Sequence, residues 1–257
     1  MSKFMILVLL ALFPFQEKRI DQQVDFITTD PLGNLYCIND SRVIQYTSSG
    51  IKSHEYADSF LGKIYHADAS DPLRILLLYS DFNQLQFVDN TLSPLGSPID
   101  LYQYSTDEIS LACTSSKGGF WIFNATQMQA THISSQGKTL TKTIILNAIM
   151  NNMTPSYMVE HHNQLYFLFP KWGLLELDDM GQMVRKIPIT GIQSVQIKDN
   201  QILYVKKNHL YRFTPSSKED SLLFPQSSLT GNHFRLEHGI IYRSKGNSIF
   251  VHQTPRQ

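Results

Sequence analysis

Cysteine is nearly missing from this chain of 257 residues, with only Cys37 and Cys113 present. Two are too few for a disulfide framework, and they lack the Cys-x-x-Cys spacing of a metal or redox site. Each lies in an apolar stretch, LYCIN and LACTS, where a free thiol behaves as a small hydrophobe, so two buried, unbridged thiols are expected. Excess charge is missing too. Lys plus Arg number 22 and Asp plus Glu 22, which leaves no formal net charge on a chain only 17% charged. Without a basic surface the chief source of nucleic-acid affinity is absent, so no nucleic-acid partner is expected. No apolar run reaches the roughly 20 residues of a spanning helix, so no stable transmembrane insertion is expected. Enzyme motifs are also lacking: there is no GxSxG, P-loop, HExxH, GxGxxG or EF-hand loop. The expectation is therefore no catalytic residue, no metal ligand and no cofactor.

What is present is apolar and aromatic material, 42% and 11% of the chain, ample for a sizeable core. At the N-terminus Lys3 precedes an apolar run from Phe4 to Phe15. This is the pattern of a signal peptide over residues 1–16, with Ala11 the clearest small residue toward the cut, followed by one domain over 17–257. Beyond residue 20 helical periodicity is scarce, and short runs rich in Val, Ile, Leu, Tyr and Phe alternate with Gly, Asn, Asp, Ser and Pro. The runs align on apolar or aromatic pairs: Leu35-Tyr36, Ile75-Leu76, Phe120-Trp121, Leu165-Tyr166, Leu203-Tyr204 and Ile241-Tyr242, spaced by 40, 45, 45, 38 and 38 residues. A period near 40 with several short strands predicts an all-β, six-bladed β-propeller, with five or seven blades as neighbouring solutions and a sandwich or solenoid as the alternative. Gly50, Gly96, Gly137 and Gly181 recur after the third strands, where a tight hairpin needs positive φ.

The sixth unit stops after its third strand, Ser248 to His252, with too little chain left for a fourth. The segment Lys18 to Gln23 precedes the first inner strand and is expected to pair beside Ser248 to His252, closing the ring and covering an open edge. Leu146 to Ser156 reads as an insertion with a helical turn. Asn39, Asn124 and Asn152 begin N-x-S/T triplets, which matter only in a eukaryotic secretory route. His161 and His162 are adjacent, and on a strand they would point to opposite faces, badly placed to share a metal, so turn or rim positions are expected.

In such a ring the second-to-third and fourth-to-first connections emerge on one face. The second-to-third turns combine aromatics with charge, and from them the partner-binding candidates are Arg42, Asp81, Phe82, Asn83, Lys171, Trp172 and Lys206. Aromatics beside Arg are what protein interfaces enrich. Turn chemistry alone accounts for the Asp, Asn and Lys among them, and Phe82 or Trp172 folded onto a neighbouring blade would be the simpler outcome.

The stretches DPLGNLYCINDSRVIQY and DPLRILLLYSDFNQLQFVDNTLSPLGSPIDL, with Tyr79 to Asn83 and Leu92 to Leu101 the most specific parts, resemble a family of exported, functionally uncharacterised propeller-like proteins of Bacteroidetes. More loosely the repeat is similar to NHL, gluconolactonase-like and PQQ-like propellers, although it lacks the lactonases' acidic metal set and a cofactor-stacking tryptophan in each blade. The resemblance implies export to the periplasm or outer membrane and no particular activity. The expected function is a noncatalytic scaffold that binds a cell-envelope protein. The alternatives are a hydrolase or lyase acting on a carbohydrate or lactone in the channel, with Asp40, His66 or Asp81 as acid or base, and a small-molecule sensor.

Overall fold

The computed structural model describes residues 17–150, 153–192, 194–223 and 230–254. The expected signal peptide over 1–16 and Asn152 lie outside the described residues. The first strand, β1 (Glu17–Ile20), belongs to the last blade, and the ring begins with β2 (Phe26–Thr29), β3 (Leu35–Asn39), β4 (Arg42–Tyr46) and β5 (Lys52–Ala57) as blade one. Blade two is β6 (Ile64–Asp68), β7 (Ile75–Tyr79), β8 (Gln84–Val88) and β9 (Ile99–Asp100). Blade three is β10 (Ile109–Thr114), β11 (Phe120–Asn124), β12 (Gln129–Ile133) and β13 (Thr139–Lys142). The short helix α1 (Asn147–Met150) leads to blade four, made of β14 (Tyr157–His161), β15 (Gln164–Phe169), β16 (Gly173–Leu177) and β17 (Met183–Ile187). Blade five is β18 (Ser194–Lys198), β19 (Gln201–Lys206), β20 (His209–Thr214) and β21 (Glu219–Leu223). Blade six is β22 (His233–Glu237), β23 (Ile240–Lys245) and β24 (Ser248–Gln253), with β1 as its outermost strand.

The protein is thus a six-bladed β-propeller of antiparallel four-stranded sheets, as the repeat predicts. Every one of the six aligned pairs falls on the second strand of its blade, for a packing reason. That strand is covered on both faces, so both members of the pair are buried. In β7, Ile75, Leu77 and Tyr79 pack toward blade one while Leu76 and Leu78 pack toward blade three. Two-sided burial gives a continuous apolar run where a one-sided sheet would alternate. The blade three to four contact holds Trp121, Phe123, Phe167 and Phe169 around Cys113. Both cysteines are buried and unbridged.

Ring closure follows the expected pairing. Glu17 lies opposite His252 and Ile20 opposite Ile249, and Ile20 joins the Ile27, Leu35, Tyr46 and Tyr242 cluster that welds blade six to blade one. The Glu17 carboxylate also accepts from Arg243, 2.5 Å away, with His252 at 3.0 Å. Gly50, Gly96, Gly137 and Gly181 have φ between 73° and 78°, the shared turn after the third strands. The expected insertion does contain a helical turn, and α1 buries Met150 while the preceding Leu146 sits in the same cluster, so this segment covers the rim-side end of the contact between blades three and four. Among the described residues no helix is long and apolar enough to cross a membrane.

Candidate functional site

The strand order gives the ring two unlike faces. Second-to-third turns and the connections between blades form the rim face. First-to-second and third-to-fourth turns form the opposite face.

All seven partner-binding candidates map to the rim face, but at separate places and in different states. Arg42 is exposed and ion-paired to Glu55 at 3.2 Å. Asp81 is exposed and accepts the Lys63 amide at 2.9 Å, fixing the loop from blade one to blade two. Phe82 is 58% exposed. Asn83 corrects the expectation, being only 1% exposed. Its left-handed φ of 51° turns the side chain inward, where Oδ1 accepts the Ile109 amide at 2.9 Å. Its carbonyl takes the Leu101 amide at 2.9 Å, so Asn83 holds the loop between blades two and three rather than a partner. Trp172 in blade four is half-buried, with its ring edge-on to Phe169 at 5.9 Å and Lys186 Nζ 4.0 Å above its centroid. Its ring has folded back onto its own blade, at the edge of the cluster between blades three and four, where the expected alternative to exposure was a neighbouring blade. Lys171 is exposed and Lys206 half-buried.

A tighter group was not singled out from sequence. Phe60, Tyr65, Phe82 and Tyr102 are 91%, 56%, 58% and 50% exposed, and among the described residues they are the only aromatics in the exposed class. Phe60 lies in the loop entering blade two, Tyr65 at the start of β6, Phe82 in the β7–β8 turn and Tyr102 in the 3-10 turn leaving β9. The loops are tied together through Asp81 and Asn83. The signal was available, since the connections between blades share this face with the second-to-third turns.

The inner strands form the second feature. Blades two, four and six each place a carboxylate near the end of the inner strand, and each serves a neighbouring blade. Asp68 accepts the Thr114 amide and hydroxyl at 2.8 and 2.7 Å. Glu160 accepts from Ser116 N at 2.8 Å and from Trp121 Nε1 at 2.6 Å. Glu237 accepts from Gln196 at 2.7 Å and is ion-paired with Lys198. Inner strands have an unpaired edge, and side chains supply the missing partners there. Gln196, for example, accepts the Leu236 amide at 2.8 Å and donates to the Leu236 carbonyl at 3.2 Å.

Nearer the axis the same even-numbered blades contribute His66, Tyr157 and Arg235. His66 and Tyr157 come from blades that are not neighbours, yet their rings meet edge-on at 5.9 Å, so they cross the axis. Burial, with help from Arg235, pushes the His66 imidazole down to about 4 against the pull of Asp68, and burial raises the Tyr157 phenol to about 12. Both are neutral near neutral pH. A cavity of about 940 Å³ opens beyond them on the face opposite the rim, with Tyr157 and Arg235 in its wall. It extends into a groove between blades five and six past Leu203, Leu223 and Leu236. Of the three acid or base candidates only His66 faces the axis; Asp40 and Asp81 sit in rim turns.

His161 and His162 do not point to opposite faces. His162 has left the strand with φ of 50°, and the two rings stack at 4.1 Å. His161 ends β14 and only His162 is in the turn, and among the described residues no group of three or more His, Cys, Asp or Glu could hold a metal ion.

No protein-family model matches the chain, and no curated protein matches it in sequence. Solved structures do share its fold. The WD40 domain of Neurospora crassa Pan2 is similar with a TM-score of 0.64 at 9% identity, over 92% of this chain and 90% of that one. Virginiamycin B lyase from Staphylococcus aureus is similar with a TM-score of 0.59 at 12% identity, over 94% of this chain and 100% of that one. The extracellular domain of a B. thetaiotaomicron protein described as a one-component system gives 0.59 at 11% identity, over 90% of this chain and 33% of that one. At these identities the likeness concerns the fold alone.

Proposed function

We propose that the protein is an exported, noncatalytic propeller of the cell envelope that holds a partner protein through the rim of blade two. The observation that carries this is the gathering, onto one blade and its two flanking loops, of all four aromatics that are exposed among the described residues. Single exposed apolar side chains are ordinary, whereas a group of aromatics on loops fixed by hydrogen bonds is the composition of a binding hot spot. Asp81 and Arg42 add polar groups around it, and Lys171, Trp172 and Lys206 extend the same face toward blades four and five. Export is supported by the charged and apolar leader, by the resemblance to exported propellers of Bacteroidetes, and by the likeness in fold to an extracellular domain. A channel hydrolase or lyase has less behind it, because His66 is committed to Tyr157 and the two aspartates proposed beside it lie on the rim.

The test is capture from native envelope with the tagged full chain, comparing the natural protein with Phe60→Ala/Phe82→Ala. Both rings are mostly in solvent, so the variant is expected to keep its melting temperature, while a stoichiometric envelope protein disappears from the eluate. Undiminished capture by the folded variant would remove blade two from the account. Mass spectrometry of the N-terminal peptide from the same eluate is expected to show a start no later than Glu17, because a cut beyond it removes part of β1.

A further inference from the structure

The cavity opposite the rim has a chemistry of its own. Part of its charge is already matched: Glu237 is ion-paired with Lys198, and Asp68 accepts from Thr114 and from the Ser70 amide at 2.9 Å, while Asp199 at its edge has no ion pair among the described residues. Arg235 is different. It lines the cavity, yet no carboxylate lies within ion-pair distance of it among the described residues, and only its Nη1 is used, donating to the carbonyls of Phe234 at 2.8 Å and Val195 at 3.4 Å. A guanidinium has five N–H groups in a planar fork, so the remaining donors are left facing the cavity and whatever fills it. Tyr157 beside it has no hydrogen-bond partner for its hydroxyl among the described residues, and its raised pKa keeps it a donor. His66 next to it is neutral and adds no competing charge. Away from this corner the groove between blades five and six has a mixed wall, in which Leu203, Leu223 and Leu236 form an apolar strip beside Gln201 and Gln253. Partway along it Arg212 also lacks an ion pair among the described residues, its Nε donating only to Ser221 Oγ at 3.4 Å.

We propose that this cavity is a second binding site, separate from the rim, for a small organic acid: its carboxylate rests on the Arg235 guanidinium and the Tyr157 hydroxyl, and its apolar body lies in the groove between blades five and six. A carboxylate matches the planar fork and supplies the acceptors that Arg235 and Tyr157 lack. An apolar body fits along the strip of Leu203, Leu223 and Leu236, which Gln201, Arg212 and Gln253 border.

The experiment uses the purified protein with three probes: sodium octanoate, octanol and inorganic phosphate. Octanoate is expected to raise the melting temperature and to saturate in calorimetry, while octanol and phosphate do so far more weakly. Arg235→Gln is expected to weaken octanoate binding by more than ~10-fold, the usual loss for a hydrogen-bonded charge, and Tyr157→Phe by less. Arg19→Gln, a change to an exposed cation elsewhere, is expected to leave binding unchanged. Octanol binding as well as octanoate would mean that the guanidinium contributes nothing, and phosphate binding as well would mean that the groove contributes nothing; either overturns the assignment. So does an absence of octanoate binding, or unaltered binding in Arg235→Gln with a native circular dichroism spectrum. If Arg235→Gln does not fold, Tyr157→Phe decides by the same criterion. The rim variant reads a different face by a different assay, so the two readings fail separately.

Discussion

Removing the Asp68 carboxylate should loosen the ring at one defined seam. Asp68 is 7% exposed, and its Oδ2 is the acceptor for both the amide and the hydroxyl of Thr114 on the neighbouring blade. Thr114 lies at the end of an inner strand, whose axial edge has no further strand to pair with, so nothing else is placed to take that amide. In Asp68→Ala the amide is buried without a partner, costing about 1–3 kcal/mol, and the two charge-assisted bonds are lost, each worth about 1.5–3 kcal/mol. The bonds share one carboxylate, and returning that carboxylate to water in the natural unfolded state offsets part of their worth, so the net loss is set at about 3 kcal/mol. The Ser70 amide adds little because Ser70 is exposed and water can replace the bond. For a domain of this size about 3 kcal/mol corresponds to a fall of ~6–12 °C in melting temperature. Asp68→Asn keeps one oxygen and should lose roughly half as much. Thermal unfolding followed by circular dichroism gives the global figure, and amide exchange at Thr114 gives the local one. A fall of less than ~2 °C, with Thr114 still protected, would refute the assignment of inner-strand carboxylates as inter-blade clamps.

Ile20→Ala, in the closing strand, is expected to cost about 2–3 kcal/mol because three buried carbons leave the seam between blades six and one, whereas Arg19→Ala should stay within ~0.5 kcal/mol; equal urea midpoints for the two would contradict the closure energetics. Stability should depend on pH through buried imidazoles. His66 is pushed down to about 4, and His161 and His233 are lowered as well, in each case first by burial. The unfolded chain then binds protons near pH 6.5 that the folded chain does not, so stability is full above about 6.5 and falls as pH drops toward 4. His66→Gln should flatten the profile, and a melting temperature unchanged between pH 7 and pH 4.5 would be the contrary result. Cys37 and Cys113, buried with thiol pKa values raised by desolvation, should react with a thiol reagent only after unfolding. Labelling of the native protein at the rate of a free thiol would place one of them at the surface.

The architecture was legible because its most regular feature, burial on both faces of every second strand, writes itself as paired apolar residues at a fixed spacing. The closing strand was legible for a related reason: the last unit is one strand short, and only the segment before β2 could supply it. Side-chain direction was harder to read. Asn83 has the composition of an exposed turn residue, yet its left-handed backbone carries the amide inward, and residue type alone does not reveal that. Trp172 looked like a rim anchor but finds Phe169 and the Lys186 ammonium instead. The cavity was missed because its charged groups sit largely on inner strands, where Asp68, Arg235 and Glu237 interrupt otherwise apolar segments. A charged residue inside such a strand costs stability unless something pairs with it, and that interruption was the available sign. Which blades then face each other across the axis depends on the closed ring, and no local pattern encodes it.

The strand that completes the sixth blade is synthesised before every other strand of the ring. Glu17 must wait until His252 exists, and at translation rates of about 5–20 residues per second that interval is on the order of ten to fifty seconds. Throughout it the seam between first and last blades has no outer cover, and every partly made chain is an open arc with two raw ends. The composition of β1 suits the delay: Glu17, Lys18 and Arg19 are exposed even in the finished ring, and only Ile20 is buried. Three charged side chains in four residues keep a waiting strand in water and out of the wrong sheets. Assembly of the ring is therefore a single late event, and a chain halted a few residues early has no partial version of it to keep.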